Sequence, residues 1–285
     1  MIRHRVCLNY WSMILVIFTA LLPALLLGWW IYRKDSLRPE PLKQLYLAFL
    51  YGVGSAFVSL LISQLMGFMG IMVYDLGSYT GAISTALFAA ALPEEIAKLT
   101  MLWLFLRKSK YYDEYFDGIV YAACVGLGFA ATENVLYLLQ SDDWLVTGVV
   151  RGITAVPAHF AIACAMGYFY SKRHFGDKSR LTAVCILAVP ILIHWVYDAL
   201  AFSEAVNPAI SVFVNILFIL LIWWVYKGTM RRIDNLHQMD KARMTPPPAP
   251  GGSPSSVPPS VSGSTPSPMP PPLPGSDNNN NTPLA

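Results

Sequence analysis

The sequence predicts an all-α membrane protein, a polytopic bundle of about seven transmembrane helices with a disordered C-terminal tail. Of its 285 residues, 55% are hydrophobic and only 13% are charged, whereas soluble domains contain about 25% charged residues. The composition changes from about Thr245, since 14 of the 21 prolines lie in the last 40 residues, mixed with serine, glycine and asparagine. Such a segment cannot build a core and should be disordered.

Seven apolar runs have the length of a membrane span, which takes about 20 helical residues. The first run ends in aromatic and basic residues and lacks the small-residue cleavage site of a signal peptide, so we expect it to be retained. The second is longer than a span requires and is expected to tilt or to end early. The predicted spans are 11–32, 44–73, 81–106, 117–139, 148–170, 181–202 and 208–226.

Lysine and arginine are concentrated in alternate loops. The first, third and fifth loops and the stretch just past the last span, 227–232, each carry three or four of these residues, whereas the second, fourth and sixth loops carry none. The positive-inside rule therefore places the odd-numbered loops and the C-terminus in the cytoplasm and the N-terminus outside.

An acidic pair interrupts the third predicted span. Glu94, Glu95 and Lys98 lie near its middle, where a charge costs at least ~2.5–3.5 kcal/mol. On a helix Lys98 can pair with either glutamate, but one lysine cannot neutralise both. The segment therefore either holds a proton or keeps a spare negative charge beside water, and both states suit acid–base chemistry. The alternative is that buried ion pairs merely join helices.

Four predicted spans place polar groups at a similar depth. Counted at about 1.5 Å per residue, these groups lie within about 6–20 Å of the outer surface. Three of the seven prolines outside the tail stand one to four residues before Glu94, His159 and His194, and such prolines interrupt helices where the backbone lines protein or water. An alternative for Glu133 is that it merely forms a salt bridge with Arg151 and takes no part in a site. The polar groups are Glu94, Glu133, His159, His194 and Asp198.

Known hydrolase signatures narrow the chemistry. The zinc-binding His-Glu-x-x-His motif and the Gly-x-Gly-Asp half of an intramembrane aspartyl site are absent, and the four cysteines show no CxxC spacing. The stretch Gly52-Val-Gly-Ser55 resembles a serine nucleophile elbow only loosely and lacks a partner. Two glutamates and two histidines remain, and they could activate water and stabilise an oxyanion.

The order of these motifs resembles the PrsW family of intramembrane proteases, which is related to the superfamily of prenyl-protein (CAAX) endopeptidases and bacteriocin-immunity proteins. The resemblance covers roughly residues 81–202. Lys98 replaces an arginine that the wider superfamily has one position later, and Glu133 replaces a histidine, so the departures fit PrsW better than the prenyl-protein branch. The motifs are Glu94-Glu95-x-x-Lys98, Phe129-x-x-x-Glu133-Asn134, His159 and His194-x-x-x-Asp198.

The resemblance implies a glutamate-type peptidase. One of the adjacent glutamates would activate water, while its neighbour and the lysine would tune it. His194, oriented by Asp198, would stabilise the oxyanion. His159, supported by Glu133, would position water or protonate the leaving amine. No metal cofactor is expected, because the spacing matches no zinc signature, although Glu and His side chains could bind zinc. The implied catalytic residues are Glu94, Glu95, His159 and His194, and the supporting residues are Lys98, Glu133, Asn134 and Asp198.

The resemblance also implies a setting, an integral protein of the bacterial cytoplasmic membrane. The substrate would be a membrane-anchored protein cut near the bilayer, and an anti-sigma factor in a signalling cascade is the type associated with PrsW enzymes. No nucleic-acid partner is predicted, and the oligomeric state is left open. The expected organisation is 1–80 for the first two helices, 81–226 for the catalytic membrane core and 227–285 for a cytoplasmic tail.

Two other functions remain open from the sequence. A proton-coupled transporter also places carboxylates and histidines in kinked helices, but we find no inverted repeat that would support it. A catalytically silent scaffold or immunity-type protein would keep the fold without activity, although the intact glutamate pair and both histidines argue against it. Peptide cleavage, as opposed to proton or solute flux, would separate these functions.

Overall fold

The computed structural model describes residues 10–35, 37–72 and 74–244, and every regular element in these ranges is helical. The all-α prediction is confirmed for these residues, while the predicted disordered tail from about residue 245 lies outside them. A π-helical segment covers Ala86–Ala91 and a 3₁₀ turn covers Pro208–Ile210. The α-helices are α1 (Tyr10–Lys34), α2 (Leu42–Phe68), α3 (Tyr79–Thr85), α4 (Leu92–Leu106), α5 (Tyr115–Gln140), α6 (Trp144–Ile153), α7 (Ala155–Phe175), α8 (Arg180–Val206) and α9 (Ser211–Met244).

Within the described residues, six segments are long and apolar enough to cross a membrane, namely α1, α2, α5, the pair α6 and α7, α8, and α9. The predicted third span, 81–106, is divided among α3, the π-helical segment and α4, and none of these reaches 18 residues. The count of seven spans therefore stays a prediction. The second span is shorter than predicted because α2 ends at Phe68, and Gly70 then turns the chain with a φ of 68°.

The central helix of the bundle is α5, and every side chain from 115 to 131 is buried. Glycines on α5 allow its neighbours to come close. A Cβ at Gly128 would lie 2.1 Å from the backbone oxygen of Phe49 on α2, and a Cβ at Gly126 would lie 2.5 Å from Ala163 Cβ on α7. Small residues at helix contacts permit this close packing in membranes. The glycines of α5 therefore determine how closely α2 and α7 approach it.

The helix that carries the glutamate pair begins at an interruption of its hydrogen bonds. Pro93 has no N–H group, so the carbonyl of Ala89, four residues earlier, loses its usual partner. Ser63 of α2 donates a hydrogen bond to that carbonyl at 3.1 Å instead. The π-helical segment and Pro93 lie immediately before Glu94 and Glu95, and single π-turns are frequent at functional sites.

The predicted fifth span is two helices. The chain bends at Thr154, which follows α6 and precedes α7, with φ −117° and ψ −69°. Pro157 lies in the first turn of α7, where a proline is tolerated because the N–H groups there have no helical partner. The bend places Arg151 in the last turn of α6 and His159 in the second turn of α7, and both side chains reach α5.

The last helix continues well past the predicted end of its span at residue 226, to Met244. Its extension packs onto the bundle, because Ile233 and Leu236 are buried in the main apolar cluster. Asp240 accepts hydrogen bonds from the backbone N–H groups of Tyr115 and Phe116 at 2.7 and 2.9 Å. Since the first N–H groups of a helix have no internal partner, the end of α9 caps the start of α5.

Candidate active site

Four helices bring the sequence-predicted polar residues into one cluster. The sequence placed these groups only at a common depth, whereas the fold brings them into contact, and the ring centroids of His159 and His194 are 5.1 Å apart. The contributions are Glu94, Glu95 and Lys98 from α4, Glu133 and Asn134 from α5, His159 from α7, and His194 and Asp198 from α8.

The two adjacent glutamates occupy different environments. Glu95 is fully buried, and its Oε1 lies 2.7 Å from both Lys98 Nζ and His194 Nδ1. The side chain of Glu94 is 12% exposed, and its Oε2 lies 3.5 Å from Lys98 Nζ and 3.7 Å from His194 Nε2. Two short hydrogen bonds therefore hold Glu95 in place, while Glu94 remains accessible to water.

Lys98 stands at the centre of the cluster. Its ammonium group is almost completely buried and lies 3.1 Å from His159 Nδ1 and 4.1 Å from the centroid of the Phe129 ring. The ring face attracts the cation, which helps to hold a charge that otherwise costs much to bury. Sequence reasoning assigned no such role to Phe129, although it lies four residues before Glu133 and so on the same face of α5.

A second set of contacts runs from Lys98 through His159 to α6. His159 Nε2 donates to Glu133 Oε2 at 2.9 Å, and Arg151 Nη2 donates to the same oxygen at 2.7 Å. Arg151 Nε also donates to Asn134 Oδ1 at 2.8 Å. The alternative that Glu133 only pairs with Arg151 is therefore incomplete, since Glu133 contacts the histidine as well.

His194 faces three carboxylates. Its Nδ1 donates to Glu95, while Nε2 lies 3.2 Å from Asp198 Oδ2 and 3.7 Å from Glu94 Oε2. Asp198 follows His194 by one turn of α8, as the helical spacing predicts. The ring is therefore held on both sides, with Nε2 facing Asp198 and, slightly farther away, Glu94.

Charge in the cluster is not balanced by its lysine and arginine. Four carboxyl groups face two cationic side chains, so the cluster contains more acidic than cationic side chains. Among the described residues, the buried atoms Glu95 Oε2 and Asn134 Nδ2 have no hydrogen-bond partner. The carboxylates are Glu94, Glu95, Glu133 and Asp198, and the cations are Lys98 and Arg151.

A polar cavity of about 660 Å³ opens beside Glu94. Both Glu94 and Glu133 line it, together with polar side chains near the predicted outer end of α5 and α6, such as Gln140 and Thr147. Glu95 does not line the cavity. The cavity thus gives water a route to one glutamate of the pair.

The cluster also contains the donors of a metal site. Glu94, His159 and His194 each offer one ligand atom, and these atoms lie within 4.8 Å of one another. Zinc accepts carboxylate and imidazole ligands. Each imidazole also has a carboxylate at one nitrogen, Glu133 or Glu95, as metal-bound histidines usually do. The ligand atoms that these three residues offer are therefore of the kinds that bind a metal ion.

Known proteins align with most of this chain. The family profile "PrsW family intramembrane metalloprotease" matches residues 40–225, more than half of the chain. "Protease PrsW" of Clostridioides difficile (strain 630) is 32% identical over 221 residues, which cover 76% of this chain and 90% of that protein. "Protease PrsW" of Geobacillus kaustophilus (strain HTA426) is 31% identical over 228 residues, 79% of this chain and 93% of that protein.

"Protease PrsW" of Bacillus subtilis (strain 168) is 29% identical over 233 residues, which cover 80% of this chain and all of that protein. No solved structure matches the chain. The six apolar segments and the bacterial relatives indicate an integral protein of a bacterial membrane. The chain therefore belongs to the PrsW family of intramembrane proteases, and it is a peptidase.

Proposed function

We propose that this protease cuts a membrane-anchored protein with a water molecule that Glu94 activates. The difference between the two adjacent glutamates supports this choice. Glu94 lines the polar cavity, whereas Glu95 is enclosed and binds Lys98 and His194. A general base must lie within hydrogen-bond reach of the water whose proton it takes. Glu94 is thus the base, and Glu95 positions the groups around it.

The other side chains complete the hydrolysis. Water between Glu94 and His194 loses a proton to Glu94 while its oxygen attacks the peptide carbonyl carbon. His194 Nε2 donates to the oxyanion that forms, and fixed donors of this kind supply a large part of catalysis. His159, held between Glu133 and Lys98, positions the water, and Glu94 passes the proton that it took from the water to the leaving amine nitrogen. The peptide C–N bond then breaks, leaving a carboxylate and an amine.

The family description includes a metal, and Glu94, His159 and His194 are the residues that would hold it. A metal ion would polarise the carbonyl and lower the pKa of bound water. We favour direct activation by Glu94 because both nitrogens of His159 are already engaged. Nδ1 lies 3.1 Å from Lys98 Nζ, and Nε2 lies 2.9 Å from Glu133 Oε2. A cation therefore already occupies the neighbourhood of one metal donor.

The substrate in this proposal is a membrane-anchored protein cut near the outer face, with an anti-sigma factor as the type associated with the family. The polar cavity supports this location, since it lies near the loop that joins α5 to α6. In the same proposal the chain crosses the membrane seven times, with the N-terminus outside and the C-terminus in the cytoplasm.

The test uses the purified full-length protein in detergent with a panel of single-span reporter peptides. Wild type is compared with Glu94→Gln, Glu95→Gln and His159→Ala, each with and without a chelator. Cleavage that survives the chelator and is lost in Glu94→Gln supports the proposal. Cleavage that the chelator abolishes and added zinc restores assigns the reaction to a metal. Proton or solute flux that needs the same residues, without cleavage of any reporter, favours the transporter.

A further inference from the structure

A second groove, of about 530 Å³, lies between α1, α7, α8 and α9, and its lining is almost entirely apolar. Buried Ile162 and Val225 form its floor, while exposed Ile219 and Trp223 form its rim. An exposed apolar surface of this kind marks a binding site on a soluble protein, and in a membrane it faces the hydrocarbon. The groove is therefore open to lipid and lies apart from the polar cavity beside Glu94.

One end of this groove carries ammonium groups. Lys227 Nζ lies 4.1 Å from the centroid of the Trp223 ring, and Lys34 Nζ lies 5.6 Å from the centroid of the Trp30 ring. Both tryptophans line the groove. Each lysine thus stands beside a tryptophan that lines the groove, one on α9 and one on α1.

A guanidinium group lies at the same end. Arg232 follows Val225 by seven residues and Thr229 by three, so it shares their face of α9, one turn beyond the groove. The Arg232 side chain is partly buried. In residues 10–35, 37–72 and 74–244, no carboxylate forms an ion pair with Lys34, Lys227 or Arg232. These three cations near the groove therefore have no carboxylate ion-pair partner within the described bundle.

We propose that this groove binds an anionic phospholipid, with an acyl chain along its apolar floor and the phosphate at Lys34, Lys227 and Arg232. An apolar groove with unpaired cations near one end is complementary to a lipid that has apolar acyl chains and an anionic head group. Basic pockets at the ends of transmembrane helices bind such head groups. A transmembrane segment of a substrate would fill the apolar part, but such segments carry their own lysines and arginines at the cytoplasmic end.

The bound lipid contacts the segments that carry the catalytic histidines. Pro157 and Ala158 line the groove directly before His159, and Ile193 lines it directly before His194. A filled groove packs against α7 and α8 beside the two histidines. We therefore expect lipid binding to stabilise the arrangement of the two histidines.

The test measures lipid binding to the full-length protein in detergent by native mass spectrometry. Phosphatidylglycerol is compared with phosphatidylcholine of the same acyl chains. Wild type should prefer phosphatidylglycerol. The double variant Lys227→Gln/Arg232→Gln should bind phosphatidylglycerol about 30-fold more weakly, because each cation contributes about 1 kcal/mol and a tenfold change in affinity corresponds to about 1.4 kcal/mol. Arg231→Gln removes the same charge from an exposed neighbour and should change the affinity by less than about twofold. Ile219→Trp narrows the groove and should weaken binding of both lipids.

Two results would overturn the proposal. The first is a phosphatidylglycerol affinity that is the same in wild type and the double variant, or that falls as much in Arg231→Gln as in the double variant. The second is a photo-crosslinker at position 219 that captures a substrate reporter in place of lipid. If the double variant does not fold, Lys227→Gln alone changes only an exposed side chain, and it should lose about fivefold by the same relation.

Discussion

The two adjacent glutamates should respond differently to the same substitution, because the fold gives them different partners. Glu95→Gln neutralises a fully buried carboxylate that lies 2.7 Å from Lys98 Nζ. The buried ammonium group then keeps only one carboxylate ion-pair partner, Glu94, at 3.5 Å. Breaking a buried ion pair by removing one partner costs about 3–5 kcal/mol. At about 2–4 °C per kcal/mol for a chain of this size, the Tm should fall by about 6–20 °C.

Glu94→Gln should instead remove activity while the protein stays folded. The Glu94 carboxylate is partly exposed to the polar cavity and is farther from Lys98, so its loss should cost about 1 kcal/mol or less, as for other solvated pairs. The Tm should therefore change by less than about 4 °C. Reporter cleavage should fall by at least about 100-fold, the lower end for a lost general base.

Both quantities can be measured on the same preparations. Tryptophan fluorescence follows thermal unfolding in detergent, and initial cleavage rates are taken below the lower Tm, so that unfolding does not count as lost catalysis. Each variant serves as the matched control for the other, since both replace one carboxylate by its isosteric amide one residue apart. Equal losses of Tm, or cleavage that Glu94→Gln retains, would refute the assignment of the base to Glu94.

Three further predictions address other parts of the structure. Arg151→Gln removes the 2.7 Å ion pair with Glu133, so kcat should fall about tenfold with little change in KM, as expected when a positioning contact is lost. Arg151→Lys should restore kcat only in part, and an unchanged kcat in Arg151→Gln would contradict a positioning role for Arg151. Burial raises the pKa of Glu40 from 4.5 to about 7, so the folded state favours the neutral carboxyl group and stability should fall as pH rises through that range. Glu40→Gln should flatten a plot of Tm against pH, and an unaltered slope would contradict this contribution of Glu40. Gly128→Ala would bring a Cβ within 2.1 Å of the backbone of α2 and should lower stability by about 1–3 kcal/mol, whereas Gly28→Ala, whose Cβ would meet only an ordinary contact at 3.7 Å, should not.

Local properties of the sequence determined the class of fold and the candidate residues. Long apolar runs can only be helices in a bilayer, because the hydrocarbon offers no partners for backbone N–H and C=O groups. The pairing of Lys98 with both glutamates follows from helical spacing alone, as does the placement of Asp198 beside His194. The high cost of a charge in a membrane marked the residues of interest, since such groups are rarely retained without a use.

Only the tertiary structure decided which of these groups meet and which glutamate faces water. Glu94 and Glu95 differ by about 100° around α4, and the rotation of α4 against α8 depends on side chains far away in the sequence. The bend at Thr154 and the π-helical segment before Pro93 also depend on contacts with neighbouring helices. For example, Ser63 of α2 donates a hydrogen bond to the free carbonyl of Ala89. Spacing along one helix fixes which residues share a face, but it leaves the direction of that face to the packing of the whole bundle.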